Sequence, residues 1–121
     1  MYFLNDSHKS KFNSLSKFYP QMLAYCDNER ISLFYIISGN DDLYRKKHVL
    51  YDFINNHLIF ESFNSTNTDF CSSSKALIRL ALNLFNGYSD TFTSPLQILG
   101  CLGSNNYKLA ITAIKLRFKY F

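Results

Sequence analysis

The 121-residue chain has one domain's worth of length, and its 47% hydrophobic share suffices to close a single core without metals or disulfides. Thirteen basic and nine acidic residues leave a net charge of +4, too modest to demand nucleic acid as a partner. No stretch approaches the roughly 20 apolar residues of a membrane span and the N-terminus lacks a secretory apolar region, so a soluble, cytoplasmic protein is expected.

In chain order, Asn5, Asp6 and Ser7 are good N-cap residues, and Phe12, Leu15 and Phe18 or Tyr19 follow at helical spacing. A helix over Ser7 to Phe18 is predicted, which Pro20 ends or follows with a second short turn over Gln21 to Cys26. The run Ile31 to Ile37 is apolar at almost every position, so periodicity alone leaves strand and helix open. Its flanks favour helix, with Asp27 or Asn28 as a cap and Gly39-Asn40 as a C′ stop. Asp41 and Asp42 then restart a helix expected to reach Asn56, with Leu43, Leu50, Phe53 and Ile54 facing inward. Residues 57–63, HLIFESF, read as a short extended segment lying over the helices without a strand partner. The stretch Asn64 to Ser73 is mostly Asn, Ser, Thr and Asp, a surface loop that Phe70 anchors.

Signals sharpen from Ser72 onward. Ser73 or Ser74 is expected to cap a helix with a broad apolar face, Ala76, Leu77, Leu80, Ala81, Leu84 and Phe85, that reads as the central one. Lys75, Arg79, Asn83 and Asn86 form its narrow polar stripe, and Gly87 supplies the C′ position. Ser94-Pro95-Leu96-Gln97 combines an N-cap serine, a proline at N1 and a capping-box glutamine. It opens a short helix to Cys101 that Gly103 ends. Ser104 or Asn105 starts the last helix, in which Tyr107, Ile111, Ile114 and Phe118 share a face opposite Lys108, Thr112, Lys115 and Lys119. The fold class predicted is mainly α: one domain over residues 1–121, a compact orthogonal bundle of five to seven helices.

Candidate sites are few. From Ser72 on, six basic residues and the single acid Asp90 leave about +5. Lys108, Lys115, Arg117 and Lys119 therefore form a candidate basic interaction face, for phosphates or for an acidic protein. The plainer reading is a solvated helix face whose lysines suit the helix C-terminus. A helix-turn-helix over Pro95 to Lys119 lacks base-reading side chains near the second helix's start apart from Asn105 and Asn106. With 12 Phe and 9 Tyr, the chain has aromatic residues to spare beyond a core, and Tyr44, Tyr88, Phe92 and Tyr107 are candidate interaction residues. His48 and Asp52 are one helical turn apart, the minimum for an oriented base, but no nucleophile motif accompanies them. His8, His48 and His57 match no metal-ligand spacing, and no metal or other cofactor is expected. Cys26, Cys71 and Cys101 form no CxxC pair and read as reduced, partly buried small hydrophobes; whether any is reactive stays open.

At Asn83 to Tyr88, NLFNGY, and Ala110 to Phe118, AITAIKLRF, the chain resembles an uncharacterised family of short proteins from low-GC Gram-positive bacteria and their phages. The phrases Phe3-Leu4-Asn5-Asp6-Ser7-His8-Lys9, Phe34-Tyr35-Ile36 and Tyr51-Asp52-Phe53 are similar too. The resemblance implies an α-helical protein in a mobile-element context and transfers no site residue. The function expected is non-enzymatic: a small accessory protein that binds a host protein and inhibits a bacterial defence or regulatory system. The alternative is a small nucleic-acid-binding regulator using the C-terminal lysine-bearing helix. A homo-oligomer is compatible with either, and a membrane partner with neither.

Overall fold

A computed structural model describes residues 1–59 and 70–119. Among them are eight helices and one two-stranded antiparallel pair, so the fold is mainly α. The helices are α1 (Asp6–Ser16), α2 (Gln21–Ala24), α3 (Asn28–Gly39), α4 (Asp41–Arg45), α5 (Lys47–Leu50), α6 (Ser72–Asn86), α7 (Pro95–Leu99) and α8 (Ser104–Phe118). The strands β1 (Tyr51–Asp52) and β2 (His57–Leu58) lie between α5 and α6.

Caps explain most boundaries. Asn5 accepts the His8 amide to start α1, Asp27 accepts the Arg30 amide to start α3, and Asn40 accepts the Leu43 amide to start α4. Ser94 Oγ accepts the Gln97 amide at 3.1 Å and donates to Gln97 Oε1 at 2.9 Å, a variant of the expected capping box. Gly87 ends α6 in the left-handed conformation, φ +83°, as expected.

The apolar run Ile31 to Ile37 is helix, and it is the central element: every residue from Ile31 to Ser38 is buried. Helix α3 packs against α1, α2, α4, α6 and α8, most extensively against α8. The centre is therefore α3 and not α6, which flanks it. A helix buried on one stripe can only sit at the side; one that is apolar all round is buried all round.

Helix α6 begins at Ser72 with Cys71 at the N-cap, earlier than a Ser73 or Ser74 cap would place it. Helix α7 ends at Leu99, before Cys101 and Gly103, because the Cys101 and Leu102 amides bond only three residues back, to Ile98 and Leu99, and Gly103 itself becomes the N-cap of α8. In α8 the buried residues are Leu109, Ala110, Ala113 and Leu116, so the expected inner face is rotated outward. Small residues at the crossing let α8 approach α3. Gly39 belongs to the same contact: it is the last residue of α3, not a left-handed C′ stop, and an added Cβ there would collide with Leu109 Cδ1 and reach His8 Nε2 at 3.0 Å.

The predicted helix from Asp41 to Asn56 fails after Leu50. Asp52 Oδ1 accepts the amides of Ile54 and Asn55 at 3.0 and 3.1 Å, and Asn56 adopts φ +56°, so Asx-turn chemistry outcompetes helix continuation. The resulting hairpin pairs Tyr51 with Leu58 and Asp52 with His57, which supplies the strand partner that residues 57–63 were expected to lack. Positions 60–63, and 64–69 of the expected loop, lie outside the described residues. Leu43, Leu50 and Phe53 are buried as expected, but Ile54, at the hairpin tip, is 89% exposed. Phe70 is buried with Lys46 Nζ 4.9 Å from its ring centroid, the anchor expected of it.

Candidate interaction surfaces on the last helix and the 87–93 loop

The exposed side of α8 forms one wall of a groove of about 460 Å³. Tyr107, Lys108, Ile111, Thr112 and Lys115 line it from α8, and Met1 and Tyr2 close it from the N-terminal segment. That segment is fastened to the core: the Tyr35 hydroxyl donates to the Tyr2 carbonyl at 2.7 Å, and the Leu4 amide donates to His8 Nδ1 at 3.1 Å. Burial pushes the Tyr35 phenol up to about 12, so it stays a donor across the physiological range. Tyr107 is 48% exposed, and Phe118 is exposed beyond it. Tyr107 and Phe118 thus turn to solvent beside the basic residues, Ile111 is half-buried in the groove and Ile114 packs against the core.

The four basic candidates separate. Lys108 and Lys115 share the groove and have no ion pair among the described residues. Lys119 follows the helix in a left-handed conformation, φ +64°, and is exposed. Arg117 leaves the group altogether. Its Nε donates to the Leu84 carbonyl at the end of α6 at 2.7 Å, and its Nη2 lies 3.6 Å from Glu29 Oε1. Arg117 therefore ties α8 to α6 and α3, and the fork of its guanidinium suits that bridging.

A second built feature is the loop between α6 and α7. The Asp90 carboxylate accepts from Thr93 Oγ1 and the Phe92 amide, both at 2.8 Å, and from Arg79 Nε and the Tyr88 hydroxyl, both at 3.0 Å. Burial opposes the charge, but these donors together hold the Asp90 carboxyl down at about 2. Asn83 Nδ2 donates to the Tyr88 carbonyl, and the Tyr88 amide donates to Asn86 Oδ1, so both ends of the loop are pinned. The loop displays Phe92, 55% exposed, with the Arg79 guanidinium carbon 5.1 Å from its ring centroid. Phe92, Lys75, Arg79, Gln97 and Cys101 line a cleft of about 360 Å³. Tyr88 and Phe92, two aromatic candidates, are joined through Asp90. Tyr107 stands in the α8 groove, and Tyr44 packs elsewhere under Lys47, whose Nζ lies 4.1 Å from its ring centroid.

The remaining candidates are dispersed. His48 and Asp52 are not on one helix: His48 edges against Phe53, and Asp52 caps the hairpin with His57 Nε2 at 3.9 Å. His8 is buried at 3% exposure and, with Nδ1 accepting, its Nε2–H donates to the Tyr35 carbonyl at 3.0 Å. Among the described residues no group of His, Cys, Asp and Glu could hold a metal ion. All three cysteines are exposed, which overturns the expectation of partial burial; they occupy helix junctions where the chain turns at the surface. Hydrogen bonds to the Ser73 and Ser74 hydroxyls, at 3.4 and 3.1 Å, draw the Cys71 thiol down to about 7. The helix-turn-helix reading loses the start of its second helix, because Asn106 Oδ1 accepts from Asn40 Nδ2 at 3.3 Å and faces the α3–α4 junction.

Sequence reasoning missed Met1, Tyr2 and Ile111 in the groove and Lys75 and Arg79 in the cleft. The i, i+4 spacing of Lys75 and Arg79 was visible as a polar stripe, but only the loop fold brings Phe92 to it. No helix among the described residues is long and apolar enough to cross a membrane. No curated protein and no solved structure matches the chain. The family model of a family of unknown function, DUF6075, matches residues 1–120, and the chain belongs to that family.

Proposed function

We propose that the protein works by binding another protein, with the solvent side of α8 as its contact surface. The observation that carries this reading is the α8 groove: Tyr107 and Ile111 offer apolar area, while Lys108 and Lys115 stand beside them without counter-ions among the described residues. Tyrosine with flanking cations is the composition of an interface centre with a charged rim. The N-terminal segment is held by hydrogen bonds from the Tyr35 hydroxyl and to His8, so the groove is preformed and little ordering cost falls on association. The setting proposed is the cytoplasm of a low-GC Gram-positive bacterium, with this non-enzymatic protein supplied by a phage or mobile element and a host defence or regulatory protein as its target. That setting rests on the resemblance carried by the NLFNGY and AITAIKLRF phrases.

A photo-crosslinking residue in place of Tyr107 should capture one stoichiometric host protein, and Tyr107→Ala should abolish native capture while leaving the melting temperature unchanged. Capture that survives Tyr107→Ala combined with Lys108→Glu and Lys115→Glu would remove α8 from the interface. Capture of the chain's own copy would identify a homo-oligomer surface instead. The same free lysines favour one second reading, nucleic acid bound along α8. A gel shift that weakens steeply with salt and disappears in Lys108→Glu/Lys115→Glu/Lys119→Glu would establish it.

A further inference from the structure

The α6–α7 cleft lies apart from α8 and has its own construction. Ser72, Lys75, Ala76 and Arg79 fall at i, i+3, i+4 and i+7 on α6, one stripe of the helix facing the cleft. Opposite that stripe, the pinned 87–93 loop presents the Phe92 ring to solvent. An exposed phenylalanine normally loses side-chain order; here its own amide is bound to Asp90 Oδ1 at 2.8 Å and Arg79 packs over its ring. The loop backbone is thereby held and the ring offers a planar platform beside a cation. The charge of Arg79 is balanced by Asp90 at 3.0 Å, whereas Lys75, exposed four residues earlier, has no ion pair among the described residues. Four residues of helix rise about 6 Å, so the unbalanced positive charge sits one turn from the aromatic platform.

A flat aromatic surface, a cation one helical turn away and the Gln97 amide in the same cleft match a ligand that carries a planar base and an anion on one short frame. We propose that this cleft binds a nucleotide: the base stacks on Phe92, the phosphate meets Lys75, and the Gln97 amide, whose Oε1 already accepts from Ser94, donates from its Nε2 to the base edge. The cleft's 360 Å³ falls in the range of small-ligand sites. A free mononucleotide and a nucleotide within a single strand share this chemistry.

Titration of the full chain with the four nucleoside 5′-monophosphates, followed by NMR, tests the site. Saturable shifts are expected at Lys75, Arg79, Phe92 and Gln97, with the nucleoside alone and inorganic phosphate alone each binding about tenfold more weakly, since each uses half of the site. Phe92→Leu and Lys75→Gln should each weaken the nucleotide about tenfold with unchanged melting temperature, because both side chains are exposed. Absence of shifts at these residues, phosphate binding as tightly as nucleotide, or indifference to Phe92→Leu overturns the proposal. A short single-stranded oligonucleotide distinguishes the source: tighter, Phe92-dependent binding assigns a strand, and no gain over the monophosphate assigns the free nucleotide. Neither outcome depends on α8, so Lys108→Glu/Lys115→Glu should leave it unchanged.

Discussion

His8 concentrates much of what a single residue does in this fold. It is neutral, buried, and bonded at both ring nitrogens, joining the N-terminal segment at Leu4 to the carbonyl of Tyr35 in α3. Burial lowers its pKa below 6.5, partly offset by the bond to the Tyr35 carbonyl; Lys11 on the same helix adds to the lowering and is itself paired to Asp41 of α4 at 2.7 Å. With the folded-state value depressed, the unfolded chain binds the proton first. Stability is therefore fully present above pH 6.5 and falls as the pH drops through that value toward the lower folded-state value. The expected slope is at most about 1.4 kcal/mol per pH unit. Thermal melts should show this acid loss in the native chain and a shallower one in His8→Gln, whose amide keeps the donor at the Nε2 position. An equal loss in both would place its origin elsewhere.

Among the elements, the crossing of α3 and α8 is set by Gly39, and here sequence logic and structure part instructively. Gly39-Asn40 correctly marks the end of a helix, yet the glycine serves a close approach and not a left-handed turn. Gly39→Ala gains helix propensity of up to about 1 kcal/mol but must displace fully buried Leu109 and the fixed His8 ring. Overpacking of this kind costs about 1–3 kcal/mol, so a net fall in melting temperature is expected, partly restored by adding Leu109→Val. An unchanged melting temperature would show that the crossing tolerates a methyl group. Helices with local stop and start chemistry were legible: Asn5, Asp27, Gly87 and Ser94 each act where the sequence places them. What was not legible depended on neighbours far along the chain. The orientation of α8 follows from its close packing on α3, with Ala110 and Ala113 at the crossing and Leu109 and Leu116 buried on the same face, and the break at Tyr51 is reinforced by its hydroxyl accepting from Arg30 Nε at 2.8 Å. The candidate sites were half legible for the same reason: Lys108, Lys115 and Tyr107 lie within one helix and share a groove, whereas Arg117 is claimed by α6 and α3, and Phe92 meets Lys75 only through a loop.

At the scale of the whole molecule, one helix without a polar side is wrapped by segments drawn from both halves of the chain. Its burial from Ile31 to Ser38 is completed by α1 and α2 before it in sequence and by α6 and α8 after it. Removing the later half should leave that surface bare: a fragment of residues 1–71 is expected to aggregate on expression to a greater extent than the full chain, as sedimentation of the two lysates would show. A soluble, helical fragment would mean that the N-terminal half closes on itself. The same arrangement governs biogenesis. Between the emergence of Gly39 and that of Phe118 the ribosome must add a further 79 residues, roughly 4–16 s of synthesis at about 5–20 residues per second. Throughout that interval α3 can pack only on the elements already made, α1 and α2 first and α6 once Asn86 has emerged, and its face toward α8, the most extensive of its contacts, stays open until the last helix arrives.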